Sequence, residues 1–396
     1  MFESIHIGMT GLDSYSKGLN VISNNVANLN TTGFKGSQMQ FADLFYKSSD
    51  AGLGSGSEQQ QQIGTGVGTG GTVLNFQQGE ARTTGNDLDV LIDGPGLFVL
   101  RQDGNTTFTR AGQFEFDKEG FLVDRVSGAR VASLSGGALG DFSLTGLRAN
   151  PPKATGSVQF RGNLSSGDQQ HQVQNLIVYD ALGTPATLRI TFDNRNTVTP
   201  GAWDVTVFNA EGTQVGSGQI RMANGKPQAG FDAVQITLTP KDGQEVSVKL
   251  DFSTEVTSFP AGVDSTLALG LQDGYAAGSL VKASFDDDGW FVTTYSNGQT
   301  EKHGRLALAW FNNTDVLEQI GNNQYANKYG QTPNLGAPGE GEFGKVKARS
   351  LESSNVDLSQ QFGEMIITQR GYQASSQVLT TANEMIQQLL DMRGKR

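Results

Sequence analysis

Ser23-Asn24-Asn25-Val26-Ala27-Asn28-Leu29-Asn30-Thr31-Thr32-Gly33-Phe34-Lys35-Gly36 is the stretch on which the fold turns. Upstream of it, Phe2, Ile5, Met9, Leu12, Leu19, Ile22 and Val26 recur mostly three or four residues apart, the spacing of one helix face. The pattern predicts a helix over residues 1–29. Gly33, behind two threonines, stands where a left-handed C-cap is expected. Asparagines crowd the closing turns although asparagine is a poor helix former. They read either as a frayed helix end or as a polar patch that hydrogen-bonds to other subunits.

The far end of the chain carries a counterpart. Ser354-Asn355-Val356-Asp357 has the form of a capping box that starts a helix. Beyond it, Leu358, Met365, Tyr372, Leu379 and Ile386 recur every seven residues, with Phe362, Ala382, Leu389 and Leu390 in adjoining rows. A helix from residue 356 to about Met392 would be roughly 50–55 Å long at 1.5 Å per residue. Arg393, Lys395 and Arg396 then place positive charge at its negative dipole end. Gly371 lies one position before Tyr372, on the flank of the apolar row. It reads as a tolerated glycine, one that alanine would improve upon. Two stripes at opposite ends predict a pair of helices enclosing everything between them; two helices cover only part of each other's stripe, so the stripe residues are also the expected self-assembly surface.

These ends resemble the terminal signatures of bacterial flagellar axial proteins, the rod and hook group. At one end the resemblance runs from Ser23 to Lys35, carried by Ser23, Asn24, Asn25, Asn28, Thr31, Gly33, Phe34 and Lys35. At the other it is carried by Leu351-Glu352-Ser353-Ser354-Asn355-Val356-Asp357-Leu358 and by Thr368-Gln369-Arg370-Gly371-Tyr372-Gln373-Ala374. The group usually has alanine where this chain has Gly371. Rod and hook members share both motifs, so the interior must separate them.

The chain has 396 residues, enough for two or three domains. Its 29 Lys+Arg against 40 Asp+Glu give a net charge of -11, which argues against nucleic acid as a partner. Cysteine is absent, which excludes disulfides and thiolate ligands; His6, His171 and His303 are too far apart in sequence to suggest a metal site. No cofactor is expected. No apolar run approaches bilayer length, and the N-terminus lacks the pattern of a cleaved secretory signal. The resemblance implies instead export through the flagellar export apparatus with an uncleaved N-terminus.

After Gly33, Phe41, Leu44 and Phe45 read as sparse apolar anchors, and residues 48–72 as a flexible Ser/Gly/Gln/Thr linker. Gly66, Gly68 and Gly71 match a dinucleotide fingerprint by letter but lack its strand-to-helix context. From Leu88 short strands alternate with turns such as Asp103-Gly104-Asn105, antiparallel hairpin grammar, and the stretch Asp87 to Val123 also resembles the shared β motif of rod and hook proteins. Asn150-Pro151-Pro152 opens a second β region, in which Trp203, Val205 and Val207, then Val234, Ile236 and Leu238, alternate as in a sandwich or barrel-like domain. Val178-Tyr179-Asp180-Ala181-Leu182-Gly183 is similar to the outer domain of hook proteins. Asp286-Asp287-Asp288-Gly289 lacks the closing glutamate of a calcium loop and reads as a charged hairpin turn. Residues 321–349, rich in Asn, Gly and Pro, lead back to the last helix and are expected to flex.

The predicted fold is therefore mainly β with a terminal α-helical coiled-coil pair, nested and discontinuous, its antiparallel β domains inserted between the helices. Residues 1–29 pair with 356–396, 30–71 connect with 321–355, 72–147 pair with 273–320 as an inner β domain, and 148–272 form an outer one. No catalytic constellation has its required context, so an enzyme is not expected. The resemblance implies a protomer that polymerises with itself into a curved, flexible tube transmitting torque from rod to filament. It further implies contacts with the distal rod, the hook cap, the hook-filament junction protein and the hook-length control protein, and no membrane insertion. A distal rod protein or a carbohydrate-binding adhesin are the alternatives; the adhesin leaves both terminal helices without a role.

Overall fold

A computed structural model describes residues 2–49, 61–239, 244–262 and 264–394. Helix α1 spans Phe2–Ala27 and helix α2 spans Leu358–Gly394. At 1.5 Å per residue the 37 residues of α2 extend about 55 Å. The helices run antiparallel: Gly8 faces Ser375 and Leu379, Gly18 faces Thr368, and Asn25 bonds to Gln361.

The seam between them differs from the apolar stripes read in the sequence. Its buried positions on α1 are Gly8, Gly11, Ser14, Gly18, Ile22 and Asn25. On α2 they are Gln361, Thr368 and Ala382, with Gly371 and Ser375 half-buried between. The heptad period is real, but the row that faces α1 is the small and polar one. Small side chains let two helix backbones approach closely, which bulky ones at the same positions would prevent. Ile5, Leu12, Leu19, Val26, Met365, Leu379 and Ile386 are half-buried along its margins; Met9, Leu358, Phe362, Tyr372 and Leu389 are exposed. The side chain of Phe2 lies outside the described residues.

Helix ends also differ from expectation. Asp357, rather than Ser354, caps α2: its Oδ1 accepts from the backbone N–H of Ser359 at 2.7 Å and of Gln360 at 3.1 Å. Gly33 does adopt a left-handed conformation, at φ 68°, but α1 has ended six residues earlier. Gly33 is needed for a different reason: a Cβ there would meet Ala111 N at 2.7 Å. Gly371, too, is more than tolerated, since a Cβ on it would run into the ring of Tyr15.

Two compact units follow from the chain's contacts: Met1–Leu144 with Ala283–Val292 and Lys302–Arg396, and Thr145–Lys282 with Thr293–Glu301. In the first, the strand Ser37–Asp43 pairs antiparallel with Val67–Leu74, and Tyr46–Ser49 with Gln61–Gly64. The described parts of residues 48–72 are thus strands, not a linker; residues 50–60 lie outside the described set. Cross-strand backbone bonds order a composition that has little apolar surface of its own. The return segment is likewise built into sheets, through Gln324–Asn327, Asn334–Gly336 and Lys345–Ala348. Phe41 and Phe45 are exposed rather than anchoring. The core of this unit gathers Leu97, Val99, Phe108, Ala309, Phe311 and Tyr325, among others. Asp103 and Gly104, both at positive φ, turn the hairpin between Leu97–Gln102 and Asn105–Thr109. Asp286 holds the turn before Trp290, accepting from the N–H of Asp288 and of Trp290.

In the second unit a five-stranded meander, from Gln170–Tyr179 to Lys226–Pro227, encloses one core with a four-stranded sheet. Trp203, Phe160, Phe192 and Phe252 fill it. Val234, Ile236 and Leu238 point inward while Gln235 and Thr237 face solvent, the alternation a half-buried strand requires. One pairing breaks the antiparallel expectation: Ser157–Asn163 lies parallel to Val246–Thr257.

Candidate assembly surface

The two terminal motifs meet in a clasp. Asn25, 2% exposed, donates from Nδ2 to the carbonyl of Ser37 at 2.7 Å and to Gln361 Oε1 at 2.9 Å. Its Oδ1 accepts from the Ser37 N–H at 2.9 Å. The amide is thereby spent inside the chain, which overturns the reading of Asn25 as part of an intersubunit patch. Asn28 Nδ2 donates to the Asn24 carbonyl at 2.9 Å, and Thr31 Oγ1 donates to Asn28 Oδ1 at 3.0 Å. These bonds hold the turn after α1 in place of a frayed end. Ser23 and Asn24 remain exposed.

Deeper in the clasp lies a buried ionic cluster. Lys35 Nζ sits 2.7 Å from Glu352 Oε1, and Arg110 Nε 2.5 Å from Glu352 Oε2. Lys35 also donates to the Gln77 carbonyl, and the Arg110 guanidinium to the carbonyls of Ile92, Gly94 and Gly96. The N–H of Gly79 completes the carboxylate's shell at 2.8 Å. Burial pulls the Lys35 ammonium below the ordinary lysine range, and the Glu352 carboxylate partly offsets it. Two cations share one carboxylate, so the carbonyl ring carries the remaining charge.

Asn355 closes the same region. Its Oδ1 accepts from the Gly36 N–H at 2.8 Å and its Nδ2 donates to the carbonyls of Asn75 and Gln77. Its backbone N–H reaches the carbonyl of Phe34, itself buried. Ser353 donates its N–H to Glu80, and Ser354 Oγ accepts from the N–H of Val356. The other motif residues do not join them: Gln369, Arg370, Tyr372 and Gln373 face solvent on α2. Arg110, Gln361 and the role of Glu352 escaped the sequence reading. The available signal was a charged residue set among strand residues that must be buried, as in Leu351-Glu352, but nothing local names its partners across 242 and 317 positions.

Outside the seam, α2 presents Phe362 at 48%, Ile366 at 59%, Ile367 at 72% and Leu389 at 52% exposure. A groove of about 560 Å³ along the pair is lined by Ser4, Ala374, Val378, Thr381, Ala382 and Met385. Exposed apolar surface of this extent on a helix pair is a standing association surface. No described helix is long and apolar enough to cross a membrane. The described residues contain no cluster of three or more His, Asp or Glu side chains able to hold a metal ion.

Comparison with known proteins identifies the family. Residues 5–35 match the flagella basal body rod protein family, residues 91–163 the flagellar hook protein FlgE/F/G D1 domain, and residues 347–392 the flagellar basal body rod FlgEFG protein C-terminal family. Flagellar hook protein FlgE of Treponema pallidum is 31% identical, over 99% of this chain and 100% of that protein. The FlgE proteins of Borreliella burgdorferi and Escherichia coli are 28% and 29% identical, covering 99% and 97% of this chain and 100% and 98% of their own lengths. A crystal structure of Helicobacter pylori flagellar hook protein FlgE2 aligns with a TM-score of 0.49 at 15% identity, covering 69% of this chain and 100% of that one. Matched from end to end at this level of identity, the chain belongs to the flagellar hook protein FlgE family.

Proposed function

We propose that this chain is the structural subunit of the flagellar hook and polymerises with itself into a curved tube that transmits torque from rod to filament. The observation that carries the reading is the helix pair. Its seam is filled by small and polar residues, while Phe362, Ile366, Ile367 and Leu389 stay uncovered and require a neighbour. The terminal helices, residues 1–29 with 356–396, form the inner wall of the tube. Assembly is head to tail, because an interface that does not close on itself builds an open helical filament. The distal rod, the hook cap, the junction protein, the length-control protein and the export apparatus are the further partners this role entails. It entails no catalysis, and export with the N-terminus intact.

Electron microscopy of the purified protein under polymerising conditions tests the reading. Short curved tubes support it. Straight rods favour the distal-rod alternative, and a chain that stays monomeric at every concentration overturns self-assembly.

A further inference from the structure

Phe45 is 88% exposed, yet its backbone is held fast. Its carbonyl accepts from both the N–H and the Oγ1 of Thr65, and the N–H of the preceding Leu44 donates to Gly66. A large aromatic side chain displayed on a pinned backbone loses little freedom when it docks, which is the character of an interface anchor.

The same unit carries a cleft of about 250 Å³ walled by Phe76, Pro95, Leu97, Trp310 and Phe311. A dry cavity of ~150 Å³ already holds benzene, so there is room for a phenyl ring. Lys35 and Arg110 also line the cleft, two cations with Glu352 as their shared carboxylate. Both are bonded to Glu352 and to backbone carbonyls, so what the cleft presents to a guest is chiefly its aromatic and aliphatic wall, which a phenyl ring packs against better than a smaller aliphatic side chain does.

We propose that Phe45 of one copy of this chain seats in this cleft of a second copy. The inference rests on the self-assembly reading and names a contact within it. Knob and hole are different patches, so the contact is heterologous and does not close on itself, as a filament requires.

The test uses the full-length chain and three measurements: the monomer's melting temperature, the critical concentration for tubes, and photo-crosslinking from a benzophenone-bearing phenylalanine analogue at position 45. Phe45→Ala should leave the monomer's melting unchanged and raise the critical concentration about tenfold or more. Phe45→Leu should fall between the two, having lost the ring but kept apolar volume. The crosslink should map, between copies, to residues 76–97 or 309–317. Wild-type protein that forms no tubes defeats the self-assembly reading itself. Wild-type tubes, combined with an unchanged critical concentration for Phe45→Ala or a crosslink to any other region, overturn this contact alone.

Discussion

A Cβ on Gly371 would lie 2.5 Å from Cζ of Tyr15, closer than any relaxed carbon contact. The Tyr15 ring is backed in turn by Phe41, with centroids 5.6 Å apart. The glycine is therefore part of how the two helices fit.

Gly371→Ala follows directly from that contact. Helix propensity alone favours alanine by about 0.8–1 kcal/mol. Overpacking against the braced ring costs about 1–3 kcal/mol and decides the sign. The variant should assemble at a higher critical concentration than wild type, and Tyr15→Leu in the same chain should restore part of the loss. A lower critical concentration for Gly371→Ala alone would show that the ring moves aside freely.

Removing one partner of the buried ionic cluster should matter more than removing another. Glu352→Gln leaves Lys35 and Arg110 buried without a carboxylate, a loss of about 3–5 kcal/mol. Lys35→Met leaves the Arg110–Glu352 pair intact and should cost distinctly less. Urea unfolding of the three proteins gives the comparison, and equal destabilisation by both variants would refute it.

Asp124 offers a pH test. Burial raises its carboxyl above the ordinary aspartate range, against the lowering effect of hydrogen bonds from Ser127. With its pKa raised on folding, the group's contribution is fully present below the unfolded value of 3.8 and is lost as pH climbs through the folded one. Asp124→Asn has no such dependence. Its stability relative to wild type should improve between pH 3 and pH 7, measured by denaturant unfolding at each pH; a constant difference would contradict the assignment.

Leu379→Asp places a carboxylate opposite Gly8, where the Leu379 Cδ1 now lies 3.7 Å from the position of a Gly8 Cβ. Burying it unpaired should cost several kcal/mol or force its protonation. Tubes should be lost while the β regions melt as before. Normal tubes would mean that the helices pair differently in the polymer.

What the sequence disclosed follows the range of its signals. Periodicity is local, so both helices, the Asp103-Gly104 turn and the alternation of Val234, Ile236 and Leu238 were legible. The stripes mark bulky rows suited to assembly, but which row meets the partner helix has no mark in a heptad count, which seeks large apolar residues. Here Gly8, Gly11, Gln361 and Thr368 face inward, and the bulkier row is left outside. Residues 61–72 read as a linker because their strand partners lie at 37–49, and pairing across a gap has no compositional mark. Lys35 was singled out by motif, but its burial depends on Glu352 and Arg110, which arrive from distant strands.

The small-residue seam has a thermal consequence. Glycine, serine and threonine contacts bury little hydrocarbon, so closing α1 onto α2 changes the heat capacity only modestly. Phe362, Ile366, Ile367 and Leu389 remain in water until neighbours cover them. The hydrocarbon of the terminal helices is thus dehydrated at polymerisation rather than at folding, and that step carries the large negative heat-capacity change. Because such driving force weakens in the cold, the tube should loosen on chilling while its separated subunits keep their folded β cores.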